Sequence, residues 1–273
     1  MFESKEEHDR VRDVQEAFGE THDAPIGSKP SYVQPGEELP IRVRVVRTEN
    51  QLQKAIKVRA DAYGRHTPAF ADSLRSVEDD DKSPSSLVFL CESKVTGDAV
   101  GTLRIHTNFE TPTYLERNLE LPEFLRSTGI AYVTRLAVAS GTNGTFVKLA
   151  MFKALHRYCF ATQISWILAV ARVPVDRDLT RLGFKDILGP GEKLRRPEDF
   201  GEVDVRPLYF SVLQAEHNWR IAKHPLYDFM ALKTHPDIEV FTSVSSAWAT
   251  PRRARRGRRQ SDLGLAAAQI LAV

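Results

Sequence analysis

Two arginines stand where the sequence is otherwise apolar, Arg104 in GTLRI and Arg135 in VTRLAV. An arginine amid apolar strand residues is almost never buried without a partner, so a carboxylate is expected beside each. The densest supply is the run Glu78, Asp79, Asp80, Asp81, and one ion-pair network joining that run to Arg104 and Arg135 follows as an expectation. EDDDK also reads as an ordinary polar loop. Tyr132, Thr134, Leu136 and Val138 share one face of a strand, where tyrosine and threonine serve either a site or simple strand formation. A second set lies in RLAVASGTNGTFVKLAMFKAL, a strand, a glycine-containing turn and a helix. There the first helical N–H groups are unpaired, with the positive end of the helix dipole behind them. Gly141 and Gly144 permit close backbone approach, and Asn143 and Thr145 suit the helix cap, which together make an anion site. Such a turn serves conformation alone as readily.

Other chemistries find no starting point. There is no G-x-x-x-x-G-K-[ST], no G-x-S-x-G and no H-E-x-x-H. Cys91 and Cys159 sit in apolar stretches without C-x-x-C or a nearby histidine pair, which reads as buried free thiols, and no metal site is expected. No run approaches the ~20 apolar residues of a membrane span. The polar start MFESKEEHDR lacks the features of a secretory signal, so a cytoplasmic address is expected.

The elements that must hold these residues occupy the middle of the 273-residue chain. Residues 1–40 carry ten acids against four basic residues among scattered Pro and Gly, and read as a disordered acidic arm. Residues 241–273 read as a flexible tail whose Arg252, Arg253, Arg255, Arg256, Arg258 and Arg259 offer peripheral contact with an anionic surface. With no nucleic-acid module in the chain, no specific nucleic-acid partner is expected. The domain is placed at 41–240, with a helical extension over about 214–240. IRVRVV has the strand period and QLQKAIKVRADAY the helical one; SLVFLCE and AVGTLRIH form a hairpin across SKVTGD. IAYVTRLAV is a central strand, and a helix over about 145–160 follows, with Val147, Ala150, Met151, Ala154, Leu155 and Tyr158 on its core face. ISWILAVAR is a strand buried on both faces, VPVDRDLTRLGF a short helix ending at Gly183, and VRPLYFSVL a last strand. The sum is an α/β (α+β) domain, a mixed sheet of six or seven strands flanked by helices.

This order, with Leu182, Gly183 and Phe184 after the apolar strand, resembles the GCN5-related N-acetyltransferase (GNAT) fold. The resemblance implies a mostly antiparallel sheet splayed between its two central strands, and a loop Gly141–Thr145 that cradles the phosphates of a thioester donor. Leu179 stands where many acetyltransferases carry a tyrosine, which points away from their usual general acid. A narrower resemblance covers residues 55–150: Arg59 with Tyr63 four residues on, the acids 78–81, VGTLRI with Arg104, and YVTRLAV with Thr134 and Arg135. It is to the acyl-homoserine lactone (autoinducer) synthases and still more to the N-acyl amino acid synthases of the FeeM type. Tyr132 replaces an acid frequent in the lactone synthases, which points away from S-adenosylmethionine and lactone formation.

What the resemblance implies is an acyltransferase that moves an acyl group from acyl carrier protein to the amine of an amino acid, with no permanently bound cofactor. Acyl-phosphopantetheine or acyl-CoA is then a co-substrate. Acyl-CoA-dependent N-acyl transfer and a non-catalytic acyl- or CoA-binding module are the alternatives. Aminolysis of a thioester needs a positioned amine, donors for the oxyanion and a route for the proton. In that scheme Glu78 or Asp81 takes the proton beside Arg104, Thr134 and Arg135. Arg59, Tyr63, Tyr132, Leu136 and Val138 contact substrate, and strand N–H groups near Leu136 to Val138 serve the oxyanion if the strand bulges. Lys148, Lys153 and Arg157, on the helix after the loop, are expected to dock the acidic carrier protein.

Overall fold

The computed structural model describes residues 36–65, 68–126, 128–196 and 203–241. Residues 1–35 of the acidic arm and the whole arginine run at 252–259 lie outside the described residues. In chain order the elements are β1 (Ile41–Val45), α1 (Glu49–Gly64), α2 (Pro68–Ser73), α3 (Asp79–Lys82), β2 (Ser86–Ser93), β3 (Ala99–Thr107), α4 (Tyr114–Asn118) and β4 (Ile130–Val138). They continue with α5 (Gly144–Ala161), β5 (Trp166–Ala171), α6 (Val175–Leu182), β6 (Lys185–Asp186), β7 (Leu194–Arg196), β8 (Val203–Ser211), α7 (Ala215–Ile221) and β9 (Ile238–Glu239), a π turn at Asp228–Leu232 preceding β9.

The strands form one sheet in the order β6-β8-β5-β4-β3-β2-β1-β9, with β7 also pairing β8. Pairing is antiparallel except for β4 with β5 and β1 with β9. The expected mixed, mostly antiparallel sheet is observed, and its strands exceed the expected six or seven because β6, β7 and β9 are two or three residues long. Strands that short carry no readable alternation.

Helices cover both faces. On β2, Val88 and Leu90 pack with Leu52, Ala55 and Ile56 of α1, while the alternate Phe89 and Cys91 join the core beneath α5. Helix α1 begins with a reciprocal cap, Gln51 N–H donating to Thr48 Oγ1 at 3.3 Å while Gln51 Oε1 accepts from Thr48 N–H. Gly101 of β3 lets α5 come close, since a Cβ there would meet Val147 Cγ1 at 2.6 Å. Gly183 ends α6 in the left-handed conformation at φ 107°, placing Phe184 against Phe152 and Phe210 at centroid distances of 5.5 and 5.0 Å. Cys91 and Cys159 are buried free thiols, and burial raises the Cys91 thiol to about 12.

Two irregularities open the sheet. Strands β4 and β5 pair from Ile130–Trp166 to Val133–Ala169 and then part, although β4 continues to Val138 and β5 to Ala171. Between β3 and β4 the register slips, Arg104 facing Thr134 but Thr102 facing Ala137. Arg135 and Leu136 therefore oppose the single Leu103, a β-bulge in which Arg135 adopts φ 55°.

Candidate active site

The parted strands form the walls of a cleft of about 1300 Å³. One side carries Tyr63 of α1, Arg65 just past that helix, Thr134 to Val138 of β4 and the following Ala139; the other carries Ala169 to Arg172, Leu179, Leu182 and Phe184; Gly144, Thr145 and Lys148 stand at the start of α5. A smaller polar pocket of about 210 Å³ shares Tyr132, Thr134 and Arg135 with it and adds Asp80, Arg104, His106 and Arg117.

Beside the bulge lies the expected ion-pair network. Glu78 caps the short helix α3, its N–H donating to Asp81 Oδ2 at 3.0 Å, and this turns both carboxylates toward the sheet. Arg135 donates to Glu78 from Nε at 2.9 Å and Nη2 at 2.6 Å, and Arg104 Nη1 donates to Glu78 at 3.1 Å and Asp81 at 2.9 Å. Arg104 also reaches Asp80 at 3.3 Å and Thr134 Oγ1 at 3.2 Å. Arg59, wholly buried on α1, completes the set with Glu78 at 2.8 Å and Asp81 at 3.0 and 2.9 Å. Arg135 sits in a left-handed conformation that side chains avoid, and the bidentate Glu78 fixes it there.

This geometry corrects three expectations. Burial would raise the Glu78 and Asp81 carboxyls, but their hydrogen bonds from arginine and the surrounding guanidinium charges outweigh it and hold both below the ordinary carboxylate range. Carboxylates so engaged are poor proton acceptors, so neither suits the role of base; they position guanidinium groups. Arg59 is fully buried within the network and cannot touch substrate as expected. Lys153 is 2% exposed and donates to the carbonyls of Phe229 and, at 2.6 Å, Lys233, so it cannot belong to a docking surface. Lys148 is paired with Asp178, while Arg157 remains exposed.

The other expected residues fall as follows. Leu136 and Val138 line the cleft, and Tyr132 lines both pockets with its ring stacked on Tyr114 at 6.3 Å. Tyr63 lines the cleft, where burial raises its hydroxyl against the lowering charges of Arg135, Arg59 and Arg172, so it stays protonated at neutral pH. Asn143 caps α5, its Oδ1 accepting Phe146 N–H at 3.1 Å, and the first intrahelical bond runs from Val147 N–H. The amides of Gly144 and Thr145 come before that bond and stand at the cleft, whereas Gly141 serves the turn at φ 75°. A Cβ on Gly144 would meet only Val138 Cγ1, at 3.6 Å.

Three side chains had no signal in the sequence. Arg65 donates from Nη2 to the Val138 carbonyl at 2.8 Å, Arg172 follows the last residue of β5 in the cleft wall, and His106 bonds Ser86 Oγ through Nδ1 at 2.8 Å. Burial lowers His106 to about 4, aided by Arg104 and opposed by Asp80, so it is neutral at physiological pH. Among the described residues no cluster of His, Cys, Asp and Glu is arranged to hold a metal ion, and no helix is long and apolar enough to cross a membrane.

A bulged strand parting from its parallel neighbour, beside a helix whose first amides face the gap, matches a known architecture. FeeM, an N-acyl amino acid synthase from uncultured soil microbes, superposes with a TM-score of 0.51 at 16% identity, over 70% of this chain and 98% of its own. The chain has the GNAT fold. Two further structures similar to this chain are the AHL synthase LasI, with a TM-score of 0.46 at 19% identity over 65% of this chain and 91% of its own, and the CoA-dependent acyl-homoserine lactone synthase BjaI, 0.48 at 14% over 71% and 93%. No family model matches the chain, and no curated protein sequence does.

Proposed function

We propose that the protein is an N-acyltransferase that takes an acyl group from acyl-CoA and joins it to the amine of an amino acid. The observation that carries this reading is the parting of β4 and β5 next to the Arg135–Leu136 bulge, which opens an apolar cleft from the start of α5 to a charged wall. The donor's phosphates are assigned to the amides of Gly144 and Thr145. Its acyl chain is assigned to the gap lined by Leu179, Leu182 and Phe184. The thioester carbonyl is assigned to the bulge, where backbone N–H groups stabilise the oxyanion as the amine attacks. Tyr63 is the proton donor for the departing thiolate, since its hydroxyl keeps its proton. The Glu78 network fixes the bulge rather than moving protons. The amine enters neutral and releases its proton to solvent.

CoA is preferred over carrier protein because two of the three expected docking residues are taken, Lys153 by burial and Lys148 by Asp178, which leaves Arg157 of the three exposed. A CoA thioester carries its phosphates with it and needs no such patch. Mass spectrometry of products formed from mixed amino acids with acyl-CoA or with acyl carrier protein tests the reading. N-acyl amino acids from acyl-CoA are expected. Product from the carrier protein alone would reverse the donor assignment, and no product from either would leave a binding module.

A further inference from the structure

Most charged side chains around the cleft are answered by a partner. Arg135 is held by Glu78, Lys148 by Asp178, and Arg65 donates to a backbone carbonyl. Arg172 differs. It is half-buried at the end of β5, lines the cleft opposite the bulge, and forms no ion pair or side-chain hydrogen bond among the described residues. Among the described residues the nearby acids are taken, Asp176 by Arg206 at 3.2 Å and Asp204 by Lys193 at 3.7 Å. A cation kept partly out of water without a counter-charge is costly unless a ligand supplies one.

The position selects the ligand. The donor's phosphates are assigned to the start of α5, which packs on one face of the sheet. Along β5, Ile167, Ala169 and Ala171 turn to the face that α5 covers, while Leu168 and Val170 turn to the opposite face with Tyr132, and Arg172, next after the strand, continues that second alternation. The anion that meets Arg172 therefore comes from the acceptor side, and a planar guanidinium fork fits a carboxylate in bidentate fashion. We propose that Arg172 is the acceptor anchor, binding the carboxylate of the amino acid whose amine is acylated. This rests on the function proposed above, and it makes Arg172 the residue that separates amino acids from simple amines.

The test uses product-like probes, so it does not depend on turnover. N-dodecanoylglycine and its methyl ester are titrated by calorimetry into the wild-type protein and into Arg172→Met and Arg172→Lys, with melting temperatures as the folding control. Wild type is expected to bind the acid at least tenfold tighter than the ester. Arg172→Met should lose that preference by losing acid affinity alone, and Arg172→Lys should keep part of it. Equal affinities in wild type, weakening of both probes by Arg172→Met, or binding of neither overturns the proposal. In turnover, the KM for the amino acid should rise with the donor KM unchanged; a rise in the donor KM alone would assign Arg172 to the donor's phosphates and overturn it as well. An Arg172-dependent acid preference in a protein that forms no N-acyl product would sink the proposed function and the acceptor role with it, leaving Arg172 as the carboxylate contact of a binding module.

Discussion

On one side of the cleft, α1, α3, β3 and β4 bring together Arg59, Arg104 and Arg135 with Glu78, Asp80 and Asp81; on the other, β5 and α6 present alanine, valine, leucine and phenylalanine. In the first wall Glu78 meets three arginines and Asp81 two, so the loss of one member strands its neighbours in a poor solvent. In the second, contacts are many, weak and undirected, so a change of size is absorbed or met in proportion to its volume. A site that joins these walls fixes the geometry of the reacting atoms with the first and sets the tolerated chain with the second.

The sharpest way to break the charged wall is Arg59→Met, which leaves Asp81 buried with half its partners. A loss of about 3–5 kcal/mol is expected, seen as a fall in melting temperature of about 10 °C. Acid should act on the same wall. Glu78 and Asp81 titrate lower folded than unfolded, so their contribution is complete above the ordinary carboxylate range near pH 4 and is lost as pH falls through their depressed values. Equilibrium unfolding followed against pH should therefore show Arg59→Met unfolding at a higher pH than wild type.

The apolar wall should respond by chain length instead. Leu179→Arg, a charge placed on α6 where it lines the cleft, is expected to cut turnover of a long-chain acyl-CoA about tenfold, or about 1.4 kcal/mol, with a smaller effect on acetyl-CoA. Equal losses with both donors would remove the acyl chain from this wall. Gly144→Leu is sterically open to the fold, so it should raise the donor KM severalfold while leaving the melting temperature and acceptor KM in place.

The smallest effect belongs to Lys153. Burial lowers its amine to about 7, so between that value and the ordinary lysine range the unfolded chain binds the extra proton and stability rises with pH. A rise of a few degrees in melting temperature from pH 7 to pH 9 is expected, and Lys153→Met should flatten it.

How far the sequence could be read follows from which signals are local. Arg104 and Arg135 announced a carboxylate partner because their strand neighbours are apolar, and the network with residues 78–81 is there. Gly183 announced the end of α6 because a left-handed residue suits glycine. Arg59 gave no such notice: one charge on a helix looks solvated until α3 folds against it. Lys153 misled for a related reason, since spacing alone placed it on an outer face and the covering carbonyls come from residues 76 and 80 positions later. The bulge was foreseen only through the family resemblance, because nothing in VTRLAV marks a residue with positive φ. Arg172 went unremarked at the end of an apolar run, where a cation usually meets water.

The short strand β9 has a consequence for how the protein behaves in company. It pairs with β1 at Val43–Ile238 and Arg44–Glu239, while Val43 N–H donates to the Asp237 carbonyl at 2.8 Å and Leu39 N–H to the Asp237 carboxylate at 2.8 Å. Left bare, β1 would offer a row of unpaired backbone groups to any passing strand, the usual route by which sheets recruit one another into aggregates. Two residues suffice to occupy that row because β1 is itself only five residues long. On this side, then, the end of the described chain acts as a seam that keeps one copy's sheet from growing into the next.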